Sequence, residues 1–141
     1  MTPEERQALA QYRRDQAEHT LKQAEVLAGV AEWAGVVNRA YYAMFYAALA
    51  LLATRDQGTP RKHTGVLASL DREFVRDGSL SKDHAVRLRS AFHLRQRTDY
   101  VEVAPADAEE AQRVLDDARA FLAAVFAHIP PASGREPTQD A

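Results

Sequence analysis

The chain has 141 residues, 46% of them hydrophobic and 27% charged, with a formal net charge of −2 and no cysteine. That is enough for one compact core and too little for two domains. It excludes disulfides and thiolate metal sites, and the slightly acidic balance argues against a broadly basic, non-specific DNA binder.

Alanine fills 27 positions, and Leu, Arg, Glu and Gln take most of the others, while Ile occurs once. These are helix formers, and they leave little strand material. Fifteen Arg stand against three Lys. That bias reads as codon usage rather than as arginine-rich nucleic-acid recognition.

The N-terminus begins Thr2-Pro3-Glu4-Glu5, acidic where a secretory signal is basic. Thr2 and Glu5 have capping-box spacing, with Pro3 at the first helical position. Ala10, Ala17, Leu21, Ala24, Ala28 and Ala31 then follow one stripe, and Gly29 and Gly35 bracket a break.

A second helix is expected over residues 33–54. Val37, Tyr41, Met44, Ala48 and Leu51 form one apolar stripe, and Tyr42, Phe45, Leu49 and Leu52 a second on another face. A helix apolar on two faces must be covered on both. It is either the centre of the bundle or shared with a second subunit. Its most apolar run, residues 40–53, is shorter than the roughly 20 residues of a membrane span. The expectation is a buried helix in a soluble, cytoplasmic protein with no membrane partner.

Gly58-Thr59-Pro60 ends that segment and opens a third helix, running to about Arg76 with Leu67, Leu70 and Phe74 inward. Asp77-Gly78 stops it. Ser81 caps a fourth helix that reaches about Tyr100, and residues 101–104 break the pattern before Pro105 restarts it. The fifth helix has the cleanest period: Ala108, Ala111, Leu115, Ala118, Leu122, Val125 and Ile129. Pro130-Pro131 ends it. The expected fold is all-α, an up-and-down antiparallel bundle of four to five helices over residues 1–129, with a disordered polar tail over 130–141.

On the fourth helix the stripe Ala85, Leu88, Phe92 continues into Arg95 and Asp99, one turn apart, where core residues are due. A half-buried Arg needs a partner, and an Asp four residues on supplies one. From spacing alone this is an ordinary ion pair. A local rule failing at one place is also how a functional site looks. Asn38-Arg39 ahead of Tyr41-Tyr42 likewise interrupts an apolar stretch, and Asn38 alone reads as a polar residue bonding across the bundle. His63 alone reads as a solvent-exposed histidine at a helix start.

The histidines, His19, His63, His84, His93 and His128, show no metal-ligand spacing. There is no Gly-rich phosphate loop, nucleophile elbow or acidic two-metal cluster. No metal or cofactor is expected, so chemistry would fall to Arg, His, Tyr or Asp.

Four segments resemble the HEPN domain family, in that family's order and over about residues 17 to 128. Residues 39–48, Arg-Ala-Tyr-Tyr-Ala-Met-Phe-Tyr-Ala-Ala, are similar to its "YYAMF" helix. Lys62-His63-Thr64-Gly65-Val66 resembles its "KxHxGV" start of the next helix, and Phe74-Val75-Arg76-Asp77-Gly78 its "FVKxG" close. Leu94-Arg95-Gln96-Arg97-Thr98-Asp99-Tyr100 resembles its "LRxxADY" segment.

The resemblance implies a helical bundle that forms two-fold homodimers and pairs with a minimal nucleotidyltransferase encoded next door. In many such pairs the HEPN protein is a toxin that cleaves RNA without metal. The partner neutralises it by complex formation or by adenylylating a tyrosine. The toxin branch carries an Arg followed, after four to six residues, by a His. Here those positions after Arg95 are Tyr100, Val101 and Glu102, and after Arg97 they are Glu102, Val103 and Ala104. The chain therefore looks like the "DY" branch.

Metal-free RNA cleavage needs a base, an acid and a cation. Arg95, Asp99 and Tyr100 are the catalytic candidates. Asp99 paired to Arg is a poor base, Tyr100 is a poor acid or base at an unperturbed pKa of about 10, and His63 enters only if the fold brings it to Arg95. Asn38, Arg39, Tyr42, His63 and Arg97 are the ligand-binding candidates, offering charge and stacking to RNA or a nucleotide. Tyr100 is also the candidate modification site. Three readings stand: a HEPN component of a toxin–antitoxin-like pair, a nucleotide- or RNA-binding module, and a scaffold dimer built on the second helix.

Overall fold

The computed structural model describes residues 1–55, 62–99 and 105–130. Among them are five α-helices, one π-helical turn and no strand. The helices are α1 (Pro3–Gly29), α2 (Trp33–Ala53), α3 (His63–Leu70), α4 (Lys82–Thr98) and α5 (Ala108–Phe126), with the π turn at Asp71–Val75. The all-α expectation holds. Tyr100, the breaks expected at 58–60 and 101–104, and the tail from 131 onward lie outside the described residues.

The capping box forms as the spacing requires. Thr2 Oγ1 accepts from the Glu5 amide, and Glu5 returns the bond to the Thr2 amide, both at 3.1 Å. Two of the amides that a helix start leaves unpaired are thereby satisfied. Ala10, Ala17 and Ala24 are fully buried, which lets α1 lie close on α2. Ala31 departs from the expected stripe: α1 stops at Gly29, and Ala31 turns the chain with a φ of +59° and is exposed. The Glu32 amide then closes onto the Leu27 carbonyl at 3.0 Å. Gly35 sits where α2 meets α1, and a Cβ there would stand 2.9 Å from Leu27 Cδ1.

α2 is the centre of the bundle, packed against α1, α3, α4 and α5. The first stripe is covered within one chain, and the second only in part. Val37, Tyr41, Met44, Ala48 and Leu51 are buried, as are Leu49 and Leu52. By length and composition α2 is apolar enough to cross a membrane, more so than its 14-residue core run implied, yet 78% of that window is buried inside the protein. Its apolar character is spent on helix–helix contacts. Tyr42, Phe45 and Tyr46 remain only half covered.

The third helix is interrupted. α3 ends at Leu70 and continues as a π turn, in which the Arg76 amide bonds back to the Asp71 carbonyl at 3.0 Å. The wider turn keeps Phe74 on the core face with Leu70, while Arg76 and Asp71 pair outside at 2.9 Å. Ser81 caps α4 by accepting from the Asp83 amide, and Asp107 caps α5 by accepting from the Glu110 amide. On α5, Ala111, Leu115, Ala118, Leu122 and Val125 are buried, and Ile129 is buried just past its end. Ala108 is exposed, while Val114 and Phe121 add a second buried row that the single stripe did not include.

Candidate functional site

α4 turns its inner face towards α2 over its last two turns, and the side chains that meet there are not all apolar. Arg95 projects from α4 with its side chain 20% exposed. Its guanidinium carbon lies 5.1 Å from the Tyr41 ring centroid, 5.3 Å from Tyr42 and 5.7 Å from Phe92. Three aromatic faces thus cradle one cation, each contributing on the order of 0.5–1 kcal/mol or more where water is excluded. Arg95 Nη1 donates to Tyr42 Oη at 3.3 Å and to Asp99 Oδ2 at 3.2 Å. Arg95 Nε is buried and has no acceptor among the described residues, which costs stability.

Asp99 follows α4 as its C-terminal cap, where the helix dipole disfavours an acid. The bond from Arg95 offsets that. The pair is half in solvent, so it contributes little to stability by itself.

Tyr42 has a second cation. Arg39 lies with its guanidinium carbon 5.4 Å from the Tyr42 ring. Asn38 holds Arg39 in place, its Oδ1 accepting from Arg39 Nε at 3.0 Å and from Nη2 at 2.7 Å. Asn38 therefore orients its neighbour instead of bonding across the bundle. Asn38, Arg39, Tyr42, Arg95 and Asp99 come together on one face. Arg97, two residues from Arg95, does not join them. It points to the other side of α4 and is bound by the Glu110 carboxylate of α5.

His63 is the largest departure from the sequence reading. It is buried, 9% exposed. Its ring stacks on Phe92, with centroids 3.7 Å apart and planes 7° from parallel. Its Nδ1 stands 3.4 Å from Tyr41 Oη. Burial, then the positive charges of His93, Arg89 and Arg95, push its pKa down to about 4. Burial pushes Tyr41 up to about 12, against the pull of the Arg95 charge. At neutral pH both groups are uncharged. His63 and Arg95 touch the same two rings, Tyr41 and Phe92, so the fold does bring His63 to the Arg95 site.

By spacing, Tyr41 and Phe92 fall on core stripes. Both are platforms of the site, and only the meeting of α2, α3 and α4 reveals it. His93 and Arg89 carry no signal in the spacing of the chain. They share the outer face of α4, four residues apart, next to His63. Among the described residues, no group of three or more His, Asp or Glu side chains is placed to hold a metal ion.

Residues 10–128 match the family model described as HEPN domain. A UPF0332 protein of Thermotoga maritima is 33% identical over 121 residues, covering 86% of this chain and 91% of that protein. The protein named Putative toxin MJ0142 of Methanocaldococcus jannaschii is 33% identical over 108 residues, covering 77% of this chain and 73% of its own length. Putative toxin MJ0605 of the same organism is 34% identical over 106 residues, covering 75% and 78%.

Proposed function

This chain belongs to the HEPN domain family, and from that premise we propose that it is the toxin-like member of a two-protein module, binding RNA at the Arg95 site and restrained by a minimal nucleotidyltransferase. The observation that carries the reading is the Arg95 guanidinium itself. It is held by three aromatic rings and paired with Asp99, and a second guanidinium, Arg39, also lies against Tyr42. Two fixed cations beside one aromatic cluster suit the phosphates of an RNA backbone. Relatives that bear the name putative toxin support the toxin-like role. The active form is a homodimer in the cytoplasm, its contact running along the half-covered Phe45 and Tyr46 of α2. Tyr100, which follows Asp99 directly, is the tyrosine that the partner modifies.

A second reading, RNA cleavage without metal, is favoured by the shared packing of His63 and Arg95 on Tyr41 and Phe92. His63 is uncharged at pH 7 and takes the 2′-hydroxyl proton as a weak base. The 2′-oxygen attacks phosphorus, Arg95 offsets the charge that develops there, and the 5′-oxygen leaves with a proton from water.

One experiment tests both. Structured RNA is incubated with the protein in chelator, and binding and cleavage are read for wild type, Arg95→Ala and His63→Ala. Binding that Arg95→Ala abolishes upholds the first reading. Cleavage that both Arg95→Ala and His63→Ala abolish upholds the second. A wild-type protein that neither binds nor cuts RNA overturns both. The partner is tested by co-expression with the adjacent gene product, and Tyr100 by the mass of the co-expressed protein.

A further inference from the structure

Beside the Arg95 site, α1 and the start of α2 enclose an open groove of about 530 Å³ lined by His19, Lys22, Gln23, Val26, Leu27 and Arg39. Its floor is apolar. Val26 is 62% exposed, a large hydrophobic side chain left in water. Its rim is cationic. Of the acids around it on α1, Glu18 pairs with Arg14 at 3.4 Å and Glu25 with Arg119 of α5 at 3.0 Å, and Asp15, one turn before His19, is not free either. Lys22 and His19 make no ion pair or hydrogen bond among the described residues. On a chain with a net charge of −2, Lys22 and Arg39 place two cations at this groove.

The groove is not separate from the site already described. Arg39 belongs to both. It forms one wall of the groove, donates to Gln23 Oε1 on α1 at 3.4 Å, and stacks on Tyr42, whose ring also meets Arg95. Groove, Arg39, Tyr42 and Arg95 form one continuous line. A ligand that follows it must carry negative charge at more than one point and a flat apolar part. A single-stranded polynucleotide has both.

We propose that this groove is a flanking subsite for single-stranded RNA held at Arg95, with Lys22, His19 and Arg39 meeting phosphates and Val26 and Leu27 meeting the face of a base. The proposal rests on the RNA reading above and adds to it a second contact, on α1, and a preference for unpaired RNA. A duplex keeps its bases stacked inside and has none to offer to Val26.

The test is fluorescence anisotropy of a short, labelled single-stranded oligoribonucleotide, titrated with the full chain over a series of salt concentrations. Lys22, Val26 and Lys82 are exposed, so replacing them leaves the core intact. Lys22→Glu is expected to weaken binding about tenfold and to lower the salt slope by about one, with Val26→Glu weakening it comparably. Lys82→Glu, at the start of α4, is the charge control and is expected to leave affinity unchanged. If Lys22→Glu and Val26→Glu bind as wild type while Arg95→Ala is weakened, the groove is idle and only the Arg95 reading survives. If Lys82→Glu weakens binding as much as Lys22→Glu, the effect is one of net charge and the groove assignment falls. If wild type does not bind at all, both readings fall together.

Discussion

The His63 imidazole lies flat on the Phe92 ring, 3.7 Å between centroids, while the Arg95 guanidinium sits over the same ring at 5.7 Å. One side chain of α4 thus joins the start of α3 to the cation of the site. The stack excludes water from one face of the imidazole, and the neighbouring positive charges disfavour a second proton on it.

The first consequence is a pH dependence with a definite sign. The folded pKa of His63 is about 4 against 6.5 in its ordinary environment. Between these values the unfolded chain binds more protons, so stability rises with pH. The contribution is complete above about pH 6.5, is lost as pH falls towards 4, and changes no further below that. The loss is on the order of 2–3 kcal/mol. Urea unfolding midpoints compared between wild type and His63→Phe across that window check it. Wild type should gain stability relative to His63→Phe as pH rises from about 4 to 6.5, and parallel curves would refute the claim. The imidazole resonances in a proton NMR titration should give the same low midpoint.

Arg95 is expected to reject its usual substitute. A lysine keeps the charge but loses the plane that lies against three rings. Arg95→Lys should therefore lose most of the RNA affinity that Arg95→Ala loses, and both should lower stability by about 1–2 kcal/mol through lost packing and cation–π contacts. Anisotropy titration and chemical unfolding measure the two effects. Full affinity in the lysine variant would show that charge alone serves.

Two backbone positions are expected to respond in opposite directions. Ala31 adopts a φ of +59° and Gly78 one of +84°. Ala31→Gly should stabilise by roughly 0.5–1 kcal/mol, because it relieves the left-handed strain of a non-glycine residue. Gly78→Ala should cost about 1 kcal/mol or more, although its Cβ would meet nothing within 4 Å. Thermal melting of each variant checks the signs.

Phe45 packs half-covered against Tyr41, Tyr42 and Tyr46. Phe45→Asp places a charge inside that aromatic strip and should abolish either folding or dimer formation, costing about 3 kcal/mol or more. Light scattering after size exclusion, with circular dichroism, tells the two losses apart. A folded dimer of wild-type size would count against the proposed interface.

Much of the fold was legible because it is local. The capping box, the Ser81 cap and the alanine stripe of α1 depend on spacings within a turn or two. The site was legible only in part. Arg95 stood out as a charge in a core position, and Asp99 as its partner. Arg97 was offered beside it, yet two residues on a helix differ by about 200° in direction, and Glu110 on α5 takes Arg97 away. His63 looked exposed because nothing near it in sequence covers it. Its cover, Phe92, comes from another helix. The π turn was also invisible, since it preserves the burial of Phe74 and so leaves the pattern of apolar residues intact.

By itself the sequence determined that the chain is helical, that its second helix is apolar on two faces, and that Arg95 interrupts a core stripe. Each follows from one helix considered alone, because periodicity decides which faces are apolar whatever they meet. Only the tertiary structure decided that α2 is the centre of the bundle with one stripe covered and the other half open, that His63 is buried and uncharged beside Arg95, and that Arg39 links the α1 groove to Tyr42. These depend on which groups come together across helices, and both charge state and partner are set by that company.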